Sequence, residues 1–293
     1  MELNQKLEKE LTAEQKVKFQ RDNGKFKLLN NIVLLPIITS LIGIYLESIT
    51  IVSVSIICII VFLIMKIFSF SKKNTVYEDI IIPSILKEKF DNVECVKNTD
   101  NTILEFKKSG LIENYDKIKV DKSYTIDKEK YMINLSKIIV QKLNIEENDG
   151  VVDKDLEEKF HGVFAYIKLP TKYTTNFKVI AKDIDNTNVN KIKIPYSEFD
   201  MCYDVYSQNP VEVRNILSYG VMARIIEFNE KIDKIINFSI FEDMLYVSIN
   251  YKEFLDFKGN GKKYVNEIET IKNLDVIEVL DIFIRYILNL YEK

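Results

Sequence analysis

The sequence predicts an α+β protein: an N-terminal hairpin of apolar helices, followed by one largely antiparallel domain that ends in a C-terminal helix. Two apolar runs, Leu28 to Leu46 and Ile49 to Met65, follow each other closely, and Glu47 is the one charged residue between Leu28 and Met65. Segments of alternating apolar and polar residues come next, without the regular strand–helix alternation of a doubly wound fold. The stretch Val276 to Tyr291 has an amphipathic helical pattern.

The two apolar runs predict a transmembrane helical hairpin within residues 28–66. The first run has 19 residues, which at about 1.5 Å per residue approach the thickness of a hydrocarbon core. The second has 17, at the short end of the spanning range, so Lys66 is expected to reach the interface. A secretory signal peptide is disfavoured because acidic residues precede the first run and no small-residue cleavage site follows it. Two successive runs almost without charge also disfavour a hairpin buried in a soluble core.

Basic residues at the outer ends of the hairpin predict its orientation, since its connection carries only Glu47. These residues are Arg21, Lys25, Lys27, Lys66, Lys72 and Lys73. By the positive-inside rule, we expect a multi-pass protein of the inner (cytoplasmic) membrane with both termini in the cytoplasm and the lipid bilayer as partner of both runs. The expected domains are a cytoplasmic N-terminal helix (1–27), the transmembrane hairpin (28–66) and a cytoplasmic α+β domain (67–293).

The domain is predicted to begin with a helix over residues 75–90. Most of the segments that follow it have the pattern of short strands. Alternating or β-branched residues predict the strands, and the longest is expected to contain a bulge. The Asn148-Asp149-Gly150 sequence predicts a turn. The predicted strands are 102–106, 130–140, 162–169, 175–181, 192–194, 199–205, 235–241 and 245–251.

The spacing of apolar residues changes from that of a strand to that of a helix after residue 205. Asn209 is suited to cap a helix, Pro210 to its first position and Glu212 to the third residue of a capping box. The helix is expected to reach Ser218 and a second to run from Gly220 towards residue 228. The last two strands form a hairpin across Glu242-Asp243.

The composition excludes several classes of function. The net charge is −3, but residues 74–293 contain 38 acids and 31 bases, so the main domain is acidic. Because nucleic-acid affinity comes largely from neutralising phosphates, we expect no nucleic-acid partner. Cys58, Cys95 and Cys202 form no CxxC or Cys/His cluster, so no disulfide framework, metal site or cofactor is expected.

Several segments together resemble a known family. They are FKKSGLIENYD (106–116), SYTI (123–126), KFHGVFAYIKL (159–169), YSEFDMCYDVYSQNPVEVRNIL (196–217), NFSIFEDMLYVSI (237–249) and KEFLDF (252–257). In this order behind a two-helix anchor, they resemble the bacterial domain-of-unknown-function 3137 family over residues 75–290. The resemblance implies an uncharacterised two-span membrane protein with a cytoplasmic domain, and it brings no catalytic residue to this chain.

Candidate chemistry is weak wherever it occurs. Residues 257–263 (FKGNGKK) lack the first glycine and the Ser/Thr of a phosphate loop, so a turn is favoured. Residues 183–188 imitate the start of a calcium loop, but Asn188 and Ile194 replace its glycine and glutamate. The lone histidine, His161, follows a set of acids: Asp153, Asp155, Glu157 and Glu158. A structural role is favoured for His161 over that of a general base.

These observations favour a non-enzymatic interaction or regulatory module tethered to a membrane, with a protein partner. The catalytic residues are unknown, and an enzyme acting on a membrane-proximal substrate would use His161 and the acids of 153–158. A self-associating membrane effector is the third hypothesis, because the apolar runs contain small residues that allow close helix packing: Thr39, Ser40, Gly43, Ser53 and Ser55. Packing of the two runs against each other explains these residues more simply.

Overall fold

The computed structural model describes residues 2–32, 34–87, 89–90, 92–128, 130–148, 151–170, 175–184, 190–257 and 264–291. The chain divides into two compact units, one of Met1–Ile85 with Phe257–Glu267 and one of Leu86–Asp256 with Ile268–Lys293. The helices are α1 (Glu2–Glu10), α2 (Ala13–Ile32), α3 (Leu34–Tyr45), α4 (Ile49–Val76), α5 (Ile82–Leu86), α6 (Asp100–Ser109), α7 (Ser197–Cys202), α8 (Pro210–Ile216), α9 (Tyr219–Ile232) and α10 (Glu267–Tyr291). The strands are β1 (Asn92–Cys95), β2 (Lys117–Lys128), β3 (Tyr131–Asn148), β4 (Val151–Lys168), β5 (Phe177–Ala181), β6 (Lys191–Ile192), β7 (Tyr203–Ser207), β8 (Ile236–Phe241) and β9 (Met244–Ile249).

The first unit begins with two helices separated by a capping box. The Thr12 amide donates to Gln15 Oε1 (2.8 Å), and the Gln15 amide donates to Thr12 Oγ1 (3.2 Å), so each side chain caps the other residue. Asn4 of α1 exchanges two hydrogen bonds with the backbone of Val265, at 3.2 and 3.1 Å. The segment 257–267 therefore belongs to the N-terminal unit through contacts more than 250 residues apart in the chain.

Helices α3 and α4 form an antiparallel pair that turns at Glu47, whose φ is 53°. Gly43 lies where an added Cβ would approach the Cγ2 atoms of Ile51 and Val52 to 2.9 and 3.0 Å. One turn away, the Thr39 and Ser55 hydroxyls share a hydrogen bond of 3.0 Å. Small residues thus lie at the contact between the two helices.

The first predicted span, Leu28–Leu46, falls on the end of α2 and on α3, and Val33 between them lies outside the described residues. The second predicted span, Ile49–Met65, lies within the longer α4, which a π-helical turn (Tyr77–Ile81) follows. Among the described residues, no helix has both the length and the apolar character needed to cross a membrane.

The second unit is built on one antiparallel sheet of nine described strands in the order β1-β2-β3-β4-β9-β8-β5-β7-β6. One face packs on α6, where the Phe106 ring lies edge-on to that of Phe164 at 5.1 Å. The other packs on α10, where the Phe283 ring lies 5.4 Å from that of Phe238. Together with the terminal helix, these layers confirm the predicted α+β class and its largely antiparallel sheet.

The elements around residue 209 follow their local signals. The Glu212 amide donates to Asn209 Oδ1 (3.4 Å) at the start of α8, and Pro210 is the first helical residue. The hairpin β8–β9 turns at Glu242 and Asp243, and Glu242 takes a φ of 56°. The predicted terminal helix is also present, although α10 begins nine residues earlier, at Glu267.

One predicted strand is wrong, and a second is wrong in its first half. Residues 102–106 lie inside helix α6, which Gly110 ends in the left-handed conformation (φ 58°), a common C-terminal stop signal. Phe199 and Met201 belong to the short helix α7, so only Tyr203 onwards is strand. Apolar residues at every second position over so short a segment suit either structure, because both can bury Phe199 and Tyr203 in the same core.

Candidate interaction arm

Strands β3 and β4 extend beyond the rest of the sheet as a two-stranded arm. Both have 18 residues, but β2 pairs with β3 only as far as Gln141, and β9 pairs with β4 only from Val163. Residues 142–148 and 151–157, here called the arm, therefore pair with each other and with no other described strand. The predicted turn at Asn148–Gly150 connects them, although residues 149 and 150 lie outside the described part of the chain.

One face of the arm carries exposed apolar side chains. Leu143 and Leu156 are direct cross-strand partners, and Ile145 lies two residues further along β3 on the same face. Their exposed fractions are 37%, 44% and 59%. A two-stranded ribbon is marginally stable in water by itself, and a cluster of exposed apolar residues commonly marks an interaction site.

The opposite face of the arm is polar. Asn144 donates to Glu157 Oε2 (3.2 Å), and Lys159 donates to Glu157 Oε1 (2.8 Å). The hydrogen bond from Lys159, supplemented by that from Asn144, lowers the pKa of Glu157. The arm thus has one charged face and a second face that carries the exposed side chains of Leu143, Ile145 and Leu156.

At its root, the arm is fastened to β2 and interrupted by a bulge. The carboxylate of Asp116, just before β2, accepts a hydrogen bond of 2.8 Å from the Leu143 amide. The register shifts between Val140 and Gln141 because β4 has one extra residue there, Lys159, so the bulge lies on β4 and not within the predicted strand 130–140. Beyond the bulge, an added Cβ on Gly162 would lie 2.1 Å from the Ile249 carbonyl oxygen and 2.6 Å from the Tyr251 amide nitrogen. Only glycine lets the chain leaving β9 pass this close to β4.

The predicted catalytic candidates lie on β4, and the structure separates them. His161 Nδ1 lies 3.2 Å from Glu158 Oε2, and Glu158 Oε1 also accepts from Lys252 at 3.4 Å. Asp155 and Glu157 alternate with Leu156 and so extend from the other face of the arm. The side chain of Asp153 lies outside the described part of the chain. The enzyme hypothesis is left with one imidazole–carboxylate pair, in which the buried His161 Nε2 has no hydrogen-bond partner.

A buried ionic cluster joins β2 and β3 to the segment after β9. Lys122 donates to the Leu255 carbonyl (2.8 Å) and to Asp256 Oδ1 (3.3 Å), while Lys137 donates to Asp256 Oδ2 (3.0 Å). The lysine side chains are only 9% and 3% exposed. Burial lowers the pKa of Lys122, partly offset by Asp256. Burial alone would raise the pKa of Asp256, but the two ammonium groups outweigh it and the net pKa is lowered.

The other predicted candidates cannot be placed. The phosphate-loop-like segment at 258–263 and residues 185–188 of the calcium-like segment lie outside the described part of the chain. Within that part, no group of three or more His, Cys, Asp and Glu residues is arranged to hold a metal ion.

Sequence reasoning missed the apolar face of the arm. A signal existed, since Leu143 and Ile145 alternate with the polar residues Lys142, Asn144 and Glu146. The sequence predicts a strand only as far as Val140 and a solvated segment for the acids of β4. The pairing of Leu143 with Leu156 is therefore visible only in the structure.

Comparison with known proteins finds one matching family model, and its description states no function. Residues 158–287, a little under half of the chain, match the model of the DUF3137 family, which is described as "Protein of unknown function (DUF3137)". The matched region begins at the root of the arm and includes β5 to β9 and most of α10. No curated protein and no solved structure matches the chain.

Proposed function

Since residues 158–287 belong to the DUF3137 family, whose description states no activity, we propose a function from the structure: a non-enzymatic interaction module tethered to the inner membrane. In this proposal, the apolar helical hairpin lies in the bilayer, both termini face the cytoplasm, and the arm contacts a protein partner. The observation that carries the proposal is the pair of exposed apolar surfaces, one on α3 and α4 and one on the arm.

The hairpin supports the tether because its apolar side chains face outwards. The small and hydroxylated residues Thr39, Gly43 and Ser55 occupy the contact between α3 and α4. The exposed apolar residues of the hairpin are Leu35, Ile37, Ile38, Leu41, Ile42, Ile44, Tyr45, Leu46, Ile49, Ile51, Val54, Ile56, Ile57, Ile60, Val61, Leu63, Ile64 and Met65. A continuous set of this size is unusual against water and suits lipid, where association depends on close packing of small residues rather than on burial of apolar ones.

Charged residues on the outer face of the hairpin are expected to release the protein from membranes. A double Ile57→Arg, Ile60→Arg variant places two cations on the exposed side of α4, each unfavourable by about 2.5–3.5 kcal/mol at the centre of a span. We expect wild-type chain to resist alkaline carbonate extraction of cell membranes and the variant to be extracted.

The matched control is a double Val17→Arg, Met201→Arg variant, which changes residues that are 62% and 70% exposed outside the hairpin. It should remain in the membrane pellet. Extraction of the wild-type chain, or equal retention of both variants, contradicts the tether. Reporter fusions that are active only in the cytoplasm should be active at both termini.

The arm is expected to contact a protein directly. A photo-crosslinking amino acid at Leu156 should give one discrete protein adduct in living cells, because this side chain lies at the centre of the apolar face. The same amino acid at Met132, which is 52% exposed on β3 outside the arm, should not. A Leu143→Asp substitution should remove the Leu156 adduct by placing a charge directly opposite. Adducts at both positions or at neither contradict the proposal, and an adduct of twice the chain's mass would instead support self-association.

A further inference from the structure

The second unit contains two adjoining cavities on the side of the sheet that packs on α6. The first has a volume of about 460 Å³ and lies between the C-terminal end of α6 and the neighbouring ends of β5, β7 and β8. The second, of about 610 Å³, lies beside β6 and the start of α8. Asn190, Ser207 and Gln208 line both, so the two cavities form one continuous groove. Both cavities are open to solvent, and their volumes lie within the range of small-molecule sites.

The groove is basic although the domain around it is acidic. Five cationic residues line it, and no Asp or Glu among the described residues does. They are Lys108, Lys178, Lys191, Lys193 and Arg214. In a region where acids outnumber bases by seven, such segregation gives a local attraction for anions.

Three of the five cations are neutralised by carboxylates that do not line the groove. Lys108 pairs with Glu105, Lys178 with Glu113 and Lys191 with Asp204, each at 2.7 Å. These carboxylates offset three of the five charges.

Lys193 and Arg214 differ, since neither forms an ion pair with a described residue. Arg214 Nη2 donates to the Lys193 backbone carbonyl at 3.2 Å, which holds the guanidinium beside Lys193. Both residues are exposed to solvent. Both residues line the second cavity, so an anion bound there would supply the missing counter-ion. The guanidinium has the planar donor geometry that matches two oxygens of a phosphate.

Uncharged side chains in the groove could contact the part of a ligand that carries no charge. The Gln208 side chain lines both cavities and has no hydrogen-bond partner among the described residues. Phe241, 40% exposed, offers a ring at the rim of the first cavity. From these features we infer that the groove binds a phosphate-bearing molecule, with the phosphate at Lys193 and Arg214 and a polar body extending into the first cavity. This site is independent of the membrane tether and of the arm.

Calorimetric titration of the full chain in detergent micelles tests the site, with sodium pyrophosphate and AMP as probes and adenosine as the uncharged comparison. Both phosphates should bind, and affinity should fall as salt is raised. A Lys193→Gln, Arg214→Gln variant should bind at least about tenfold more weakly, since charge-assisted hydrogen bonds are lost.

The control variant, Lys168→Gln, Arg224→Gln, removes the same two charges elsewhere and should bind as wild type does. Arg214 also bonds to the backbone, so its substitution could alter the local structure. The single variant Lys193→Gln is therefore measured as well, because the Lys193 side chain has no described partner. Absence of binding by both phosphates, or equal affinity in the two double variants, overturns the inference.

The phosphate could come from a free molecule or from a lipid headgroup, and a second arm of the experiment distinguishes them. AMP is titrated into the full chain in nanodiscs of phosphatidylcholine, with and without phosphatidylinositol 4-phosphate. If the headgroup occupies the groove, this lipid weakens AMP binding in the control variant but not the residual binding of Lys193→Gln. If the natural ligand is a free molecule, the lipid changes the AMP affinity of the two variants by the same factor. Either pattern supports the site and identifies the source.

Discussion

A Gly162→Ala variant is expected to lower the free energy of unfolding by about 3 kcal/mol, at the upper end of what overpacking a well-filled core typically gives. The added methyl would lie 2.1 Å from the Ile249 carbonyl oxygen and 2.6 Å from the Tyr251 amide nitrogen. Both atoms belong to backbone, which cannot rotate away as a side chain can. Val163 pairs with Ile249, so relief of the clash requires the β4–β9 pairing to shift.

Thermal unfolding followed by far-ultraviolet circular dichroism measures this effect, and Gly220→Ala is the matched control. No atom lies within 4 Å of an added Cβ on Gly220, which is inside α9. That variant is expected to gain up to about 1 kcal/mol, because alanine favours helix over glycine. Equal stability of Gly162→Ala and wild type would mean that the close approach of residues 249–251 to β4 is not maintained in solution.

An Asp256→Asn variant should lose about 3 kcal/mol of stability, because it leaves two buried ammonium groups without a counter-ion. Removing one member of a buried ion pair costs about 3–5 kcal/mol. We expect the lower end of this range because Asp256 itself is 39% exposed and partly screened by water, whereas Lys122 and Lys137 are almost fully enclosed.

The same cluster predicts a dependence of stability on pH. The pKa of Asp256 is lower in the folded chain than its usual value of 3.8. The unfolded state therefore binds its proton first on acidification, so the contribution of Asp256 is complete above about pH 4 and is lost as the pH falls through the folded pKa. The difference in stability between wild type and Asp256→Asn should be constant near neutrality and shrink below pH 4.

Asp200→Asn is the matched control, since Asp200 pairs with Lys182 at 3.7 Å and both side chains are at least 40% exposed. An exposed pair of this kind contributes at most about 1 kcal/mol. If Asp256→Asn is no more destabilising than Asp200→Asn, the enclosed lysines do not depend on this carboxylate.

Elements with a strong local signal could be predicted from the sequence. Asn209, Pro210 and Glu212 carry the chemistry of a helix start within four residues, and α8 begins there. The β8–β9 hairpin has alternating strands on either side of a short polar turn, so both its position and its pairing follow from neighbouring residues. The region around residue 102 lacked such clarity, because a short apolar segment suits strand or helix and only packing against the sheet decides between them.

The candidate sites depend on contacts that are distant in the chain. The arm exists because β2 and β9 stop pairing before β3 and β4 end, and strand length in a sheet depends on partners far away in sequence. In the groove, Lys193 and Arg214 are brought together with Lys108 and Lys178 by helices α6 and α8 and strands β5 to β8. No spacing along the chain records these arrangements.

By itself, the sequence determined the α+β class, the apolar helix pair with its turn at Glu47, and the capped helix at Pro210, because each rests on properties of adjacent residues. The tertiary structure alone decided that Lys122 and Lys137 share Asp256, that Gly162 lies beneath residues 249–251, and that five cations line one groove. Those features depend on which strands become neighbours, and that choice minimises the free energy of the whole sheet rather than of any one segment.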